Sequence, residues 1–188
     1  MAQENGAGAR PPVKNIYLAG FMCAGKTLTG RALARLLRRP FCDSDQALEK
    51  EYGNTIAGLV REKGLAGFRK AEAAAVKKIA ARGGLVAALG GGIYPSPRWK
   101  RRLGESGVTV YLHCPWPELK GRLRTARGAR PLLAGDWAAA CRRAAALYRK
   151  RLPFYRRAEL TVNTAGLTPR AAAVKIKTLL AKRAELNL

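Results

Sequence analysis

The chain has 188 residues, enough for one compact domain with a real core and short of two independent ones. Hydrophobic residues make up 48% and charged residues 26%, an ordinary globular composition that excludes disorder over most of the length. The net charge of +24 favours anionic partners of any kind, from nucleotide phosphates to nucleic acid, and equally describes a solvated basic exterior, so charge alone does not choose a function.

In chain order, residues 1–12 are polar and rich in Gly and Pro, which predicts a frayed tail ahead of a single domain over 13–188. The tail has no apolar core of a signal peptide, and no later run is long enough to span a bilayer. Asn15 to Ala19 reads as a short buried strand entering a glycine loop, followed by an Ala/Leu-rich helix from Lys26 to about Leu37. Apolar runs at Pro40 to Cys42, Leu85 to Leu89, Val108 to Leu112 and Leu160 to Val162 predict further buried strands, with helical periodicity between them, as at Glu72 to Arg82. This alternation predicts an α/β fold, a parallel sheet covered on both faces. Arg122 to Asp136 reads as an arginine-bearing loop, Trp137 to Arg151 as a helix, and Thr168-Pro169 as the N-cap and first turn of a closing helix to about Glu185. Cys23, Cys42, Cys114 and Cys141 form no Cys-x-x-Cys pair and His113 is the lone histidine, so no zinc set is expected and a reduced, cytoplasmic compartment is.

The chemistry begins at Gly20-Phe21-Met22-Cys23-Ala24-Gly25-Lys26-Thr27, which fits G-x-x-x-x-G-K-[ST] between a strand and a helix. Glycines let successive N–H groups and the helix N-terminus face phosphate oxygens; Lys26 supplies a cation and the Thr27 hydroxyl a Mg²⁺ ligand, which points to an ATP-dependent kinase of the P-loop class. Asp43-Ser44-Asp45 follows the second apolar run, at the strand edge where open α/β sheets bind ligands. Strand alternation would send the two carboxylates to opposite sides, one toward metal and nucleotide and the other toward a second substrate; a helix N-cap with an acidic first turn is the alternative. Arg69 and Glu72 are three apart on one helical face, either a held guanidinium or an exposed ion pair. Gly90-Gly91-Gly92 closes a strand and would admit a ligand close to the backbone, while Arg124, Arg127, Arg130 and Arg151 offer planar donors for phosphate or carboxylate.

The order of these motifs, continued by Arg130-Pro131-Leu132-Leu133 and Arg151-x-Pro153-x-Tyr155, resembles the shikimate kinase family from about Val13 to the last helix. The resemblance implies a P-loop NTPase fold similar to the nucleoside monophosphate kinases: a five-stranded parallel sheet, helices on both faces, a mobile lid over about 122–136 and a substrate-binding region over about 43–72. It implies transfer of the ATP γ-phosphoryl to the 3-hydroxyl of shikimate, with Cys23, Ala24, Gly25, Lys26, Thr27 and Leu28 at the phosphates, and Arg124 or Arg127 at the adenine. Arg130 would close over ATP, and Asp45, Arg69, Gly90, Gly91, Gly92 and Arg151 would hold shikimate. Thr27, with Asp43 through water, would hold Mg²⁺, and Lys26, Asp45 and Arg130 would carry the catalysis. The expected partners are the small molecules shikimate and ATP, with a monomeric protein and neither nucleic acid nor membrane. The chain departs from the family pattern at Cys23, where a glycine is usual, at Gly64-Leu65, where Gly-Glu is usual, in a lid about one residue shorter, and at Asn163 to Thr168, where a contact to the base is not evident.

Another small-molecule kinase of the same fold, such as a gluconate kinase, would share the P-loop without reason to combine Asp45, Arg69, three glycines and Arg151. A nucleic-acid-binding P-loop protein would use the charge, but Phe41, Tyr94, Trp116 and Trp137 are not interleaved with basic residues as a stacking platform requires. A degenerate kinase kept for interactions has no need of Lys26, Thr27, Asp43 and Asp45 together.

Overall fold

The computed structural model describes residues 14–94, 97–126 and 131–185. Five strands, β1 (Asn15–Ala19), β2 (Phe41–Asp43), β3 (Val86–Ala88), β4 (Gly107–His113) and β5 (Leu160–Asn163), form one sheet in the order β2-β3-β1-β4-β5, every neighbouring pair parallel. The central strand β1 is buried at all five positions, so both faces are covered, as a parallel sheet requires. Its one polar residue, Asn15, is fully satisfied: Nδ2 donates to Tyr17 Oη at 2.9 Å and to the Arg82 carbonyl, and Oδ1 accepts from Leu85 N at 3.0 Å.

The helices are α1 (Lys26–Leu37), α2 (Ser44–Tyr52), α3 (Ile56–Ala81), α4 (Pro97–Ser106), α5 (Trp116–Thr125), α6 (Trp137–Tyr155) and α7 (Pro169–Glu185), with a short 3-10 turn at Pro131–Leu133. The main core gathers Leu18, Leu33, Val86, Val110, Leu119 and Ile176 from strands and helices alike, each fully buried. A burial of this kind is worth about 1.5–3 kcal/mol per large side chain, which fixes the helices on the sheet. A second, smaller cluster, Leu48, Leu59, Phe68, Ala71 and Ala75, joins α2 to α3 apart from the sheet core.

Topology locates the crevice. The connection from β1 leads to β2 on one side and that from β3 leads to β4 on the other, so adjacent strands β1 and β3 form the switch point at whose carboxyl ends open α/β sheets bind ligands. The glycine loop leaves β1 there and the triple glycine leaves β3 there.

Several boundaries differ from the sequence reading. α3 is one long element broken at Gly64, whose φ of 65° and ψ of 170° kink it; only a residue without Cβ takes that conformation cheaply. α4 is absent from the sequence reading, although Trp99 and Leu103, both buried, stand four apart as on one helical face. α6 runs four residues past Arg151 with Pro153 inside it. Arg122 to Thr125, expected in a loop, form the last turn of α5, where their cations complement the helix carbonyl end. Among the described residues no helix is long and apolar enough to cross a membrane.

Candidate active site

The P-loop geometry follows from two unusual backbone positions. Cys23 and Gly25 both take left-handed values, φ 61° and 91°, and Gly25 is the N-cap of α1 with no side-chain cap. Gly25, Lys26, Thr27 and Leu28 line the crevice, so the start of α1 opens there, the arrangement that binds anions. Gly20 is required for a different reason: a Cβ there would lie 2.9 Å from the Leu112 carbonyl oxygen. Ala24 is buried, its N–H bonded to the Phe21 carbonyl at 3.2 Å, and closes the turn. Lys26 curls over the loop, its Nζ donating to the Gly20 and Phe21 carbonyls at 2.9 and 3.0 Å. Leu28 is 62% exposed at the rim of the crevice.

Thr27 Oγ1 donates to Asp43 Oδ2 at 2.6 Å. Asp43 Oδ1 accepts from the amides of Asp45 and Gln46 at 3.0 and 3.4 Å, so this carboxylate is at once the cap of α2 and the partner of the loop threonine. The N-cap reading of Asp43 holds, and the same carboxylate reaches the loop threonine. Strand alternation, however, is not what separates Asp45 from Asp43. The strand ends at Asp43, and Asp45 lies in the first turn of α2 with its carboxylate directed at the triple glycine. Thr27 and Asp43 offer hard oxygen donors beside the phosphate loop, the chemistry Mg²⁺ prefers, and no group of three His, Cys, Asp or Glu occurs among the described residues to compete as an all-protein metal cage.

Two of the three glycines are needed for space. None of Gly90, Gly91 and Gly92 has a positive φ; Gly90 and Gly92 lack room for a side chain, and Gly91 lies in ordinary contact distance of Arg151. A Cβ at Gly90 would lie 2.6 Å from Asp45 Oδ1 and 2.8 Å from Glu72 Oε1; at Gly92 it would lie 2.9 Å from Arg69 Cζ; at Gly91 the nearest group is Arg151 Nη1 at 3.4 Å. The strand end thus gathers Asp45, Arg69 and Arg151, residues far apart in sequence, on three consecutive backbone units. Gly90 is itself held by its N–H, which donates to Ser44 Oγ at 2.8 Å.

Arg69 donates to Glu72, and this is no exposed ion pair: Glu72 is only 3% exposed. Burial pushes the Glu72 carboxyl above the usual range, opposed by the hydrogen bond and charge of Arg69 and by the charge of Arg151, and reinforced by the Asp45 carboxylate. Tyr155 Oη donates to the Gly91 carbonyl at 2.6 Å and its ring stacks on Tyr111, centroids 5.3 Å apart. Burial raises the Tyr155 phenol to about 12, against the lowering effect of Arg151, so it stays a donor at neutral pH. A cavity of about 260 Å³ runs from Cys23, Lys26 and Thr27 past Asp43 and Asp45 to Gly91, so phosphate loop and glycine turn share one space.

Of the arginines singled out in sequence, Arg151 joins the site and Arg124 sits exposed in the last turn of α5; Arg127 and Arg130 lie outside the described residues. The sequence reading missed Ser44, Tyr155 as a backbone donor, and the depth of Glu72. The first two act on backbone groups 46 and 64 residues away, which leaves no local signature.

Comparison with known proteins supports one grouping. The family model described as shikimate kinase matches residues 22–181. A shikimate kinase of Halorhodospira halophila is 41% identical over 162 residues, covering 86% of this chain and 90% of that protein. Among solved structures, a shikimate kinase from Acinetobacter baumannii in complex with shikimate superposes with a TM-score of 0.83 at 36% identity, covering 91% of this chain and 94% of the other. That of Bacteroides thetaiotaomicron gives 0.83 at 32% identity, with 89% and 98% coverage. A match that begins inside the glycine loop and takes in Asp45, Arg69, the triple glycine and Arg151, within one shared fold, is more than a common P-loop: this chain belongs to the shikimate kinase family.

Proposed function

We propose that this protein transfers the γ-phosphoryl group of ATP to the 3-hydroxyl of shikimate, giving shikimate 3-phosphate and ADP for aromatic amino acid biosynthesis. The observation that carries the reading is the convergence of Asp45, Arg69 and Arg151 on the glycines after β3, where Asp45 and Gly91 line the same cavity as Lys26 and Thr27. Two guanidiniums beside a carboxylate suit a small hydroxylated acid: Arg69 and Arg151 neutralise its carboxylate, and Asp45 accepts from its ring hydroxyls. Buried Glu72 keeps the Arg69 fork aimed, and Tyr155 keeps the Gly91 carbonyl from turning into the acceptor space.

On the nucleotide side, the loop amides from Cys23 to Leu28 cradle phosphate oxygens and Lys26 follows the charge toward the transferred group. Mg²⁺, held by the Thr27 hydroxyl and through water by Asp43, would supply charge neutralisation at the phosphates. Asp45 orients the attacking hydroxyl and takes its proton. Catalysis rests on this positioning more than on proton transfer, since phosphoryl transfer leaves little covalent chemistry to the protein. Segment 122–136 acts as the lid that excludes water, with Arg130 reaching the phosphates and Arg124 or Arg127 the base, while 43–72 forms the acceptor-binding region of a single kinase domain. The reading includes a monomeric protein that works in the cytoplasm and has no nucleic-acid or membrane partner.

ADP release measured with shikimate, gluconate, RNA or no acceptor tests the proposal. Strict dependence on shikimate is expected, and equal rates with gluconate or with no acceptor would overturn it. Asp45→Asn is expected to lose at least ~10²-fold in kcat with ATP affinity intact, the range of a general base, whereas retention of most turnover would remove Asp45 from that role.

A further inference from the structure

We infer that Arg122 is a positioning residue for the phosphate-binding loop, fixing the left-handed Cys23 peptide through its carbonyl and tying it, by way of Glu118, to the turn after β5. The inference rests on the proposed kinase activity only for its nucleotide side.

A loop that turns its amides toward an anion turns carbonyls outward, and those carbonyls need donors of their own. The Cys23 carbonyl finds one 99 residues away, accepting from Arg122 Nη1 at 3.4 Å, in the last turn of α5. The same nitrogen would be 3.7 Å from a Cβ at Gly25, so the guanidinium spans the two left-handed residues of the loop. Its other end is fixed: Arg122 Nη2 donates to Glu118 Oε1 at 2.5 Å, one helical turn earlier. The second oxygen of Glu118 accepts from Gly166 N at 3.2 Å. Loop, helix and turn, which close three different parts of the carboxyl edge of the sheet, are therefore joined by one fork and one carboxylate.

Two features argue for position over charge. The Arg122 cation is matched by Glu118, so it adds little net field at the phosphates. Both side chains remain about one-third exposed, 30% and 33%, where an i,i+4 ion pair contributes little to stability. What the pair does supply is geometry. Cys23 stands where the backbone favours glycine, and a planar fork held at both ends restricts the extra freedom that the strained peptide would otherwise have.

The test compares ATP and ADP affinity, measured by calorimetry without acceptor, in the wild type, Arg122→Ala, Arg122→Lys, Glu118→Gln and Arg122→Ala/Glu118→Gln, with thermal midpoints alongside. Positioning predicts that Arg122→Ala weakens both nucleotides by about tenfold, the size of one lost charged-group hydrogen bond. Lysine, which keeps the charge and loses the fork, fails to restore affinity. Glu118→Gln also weakens binding, the double variant is no worse than Arg122→Ala, and the KM for shikimate is unchanged. If Arg122 instead acts as a charge donor to phosphate, Glu118→Gln tightens nucleotide binding or lysine restores it; either result overturns the inference, as does wild-type affinity in Arg122→Ala. Should the alanine variant not fold, lysine and glutamine decide it. A wild type that binds ATP yet ignores shikimate would refute the proposed acceptor and leave these binding comparisons standing.

Discussion

Gly92→Ala isolates one contact of the acceptor site. The added Cβ would sit 2.9 Å from Arg69 Cζ, with Nη1 nearer still, against an ordinary contact limit of 3.4 Å, so the guanidinium must retreat by ~0.5 Å at Cζ and by about 1 Å at Nη1. Arg69 is 42% exposed and its far end is free to yield, so the fold loses little, but its aim from Glu72 is lost. Misplacement of a positioning group by about 1 Å can cost ~10²-fold, which predicts a ~10- to 100-fold loss in kcat/KM for shikimate, or about 1.4–2.7 kcal/mol of transition-state stabilisation. Steady-state kinetics at saturating ATP, with ATP affinity and the thermal midpoint as controls, measures it. A kcat/KM within about threefold of wild type would refute the reasoning, and so would an equal loss of ATP affinity, because Arg69 lies on the acceptor side. Gly91→Ala completes the comparison: it meets Arg151 only at 3.4 Å, so any loss there reports the room the acceptor itself needs.

Glu72→Gln separates function from stability. Because burial raises the Glu72 pKa in the folded protein, the protonated form is favoured there; the stability this gives is present below the unfolded value of 4.5 and is lost as pH rises through the higher folded value. Neutral glutamine is therefore expected to hold or raise the thermal midpoint at pH 7 while raising the KM for shikimate and removing the Glu72 contribution to the acid limb of the kcat/KM profile; an unchanged profile would show that Glu72 does not govern Arg69. Cys23→Gly should relieve the left-handed strain, offset by the greater freedom of glycine in the unfolded chain, for a net gain of up to about 1 kcal/mol in denaturant unfolding. A loss of stability would mean that the packing of the Cys23 side chain outweighs the strain.

Much of this protein is legible in its sequence. The succession of strands and helices along the chain, the glycine loop between strand and helix, and the pairing of Arg69 with Glu72 are local patterns, and local patterns survive without knowledge of the fold. Even the double role of Asp43 follows from two local readings, a helix cap and a strand-end carboxylate, that turn out to be compatible. Asp43 turns to Thr27 and Asp45 to Gly90 because a strand-to-helix switch, and not strand alternation, lies between them, and both line one cavity.

By itself the sequence determined the α/β class, the glycine loop between strand and helix and the Arg69–Glu72 pairing, because each depends on spacing within a few residues. Only the tertiary structure decided why Gly90 and Gly92 admit no side chain, that Glu72 is buried, and that Tyr155, Ser44 and Arg122 each act on a distant backbone group. Those contacts join residues 46 to 99 positions apart, and a side chain that bonds to a backbone carbonyl or amide asks nothing of the residue type at the other end.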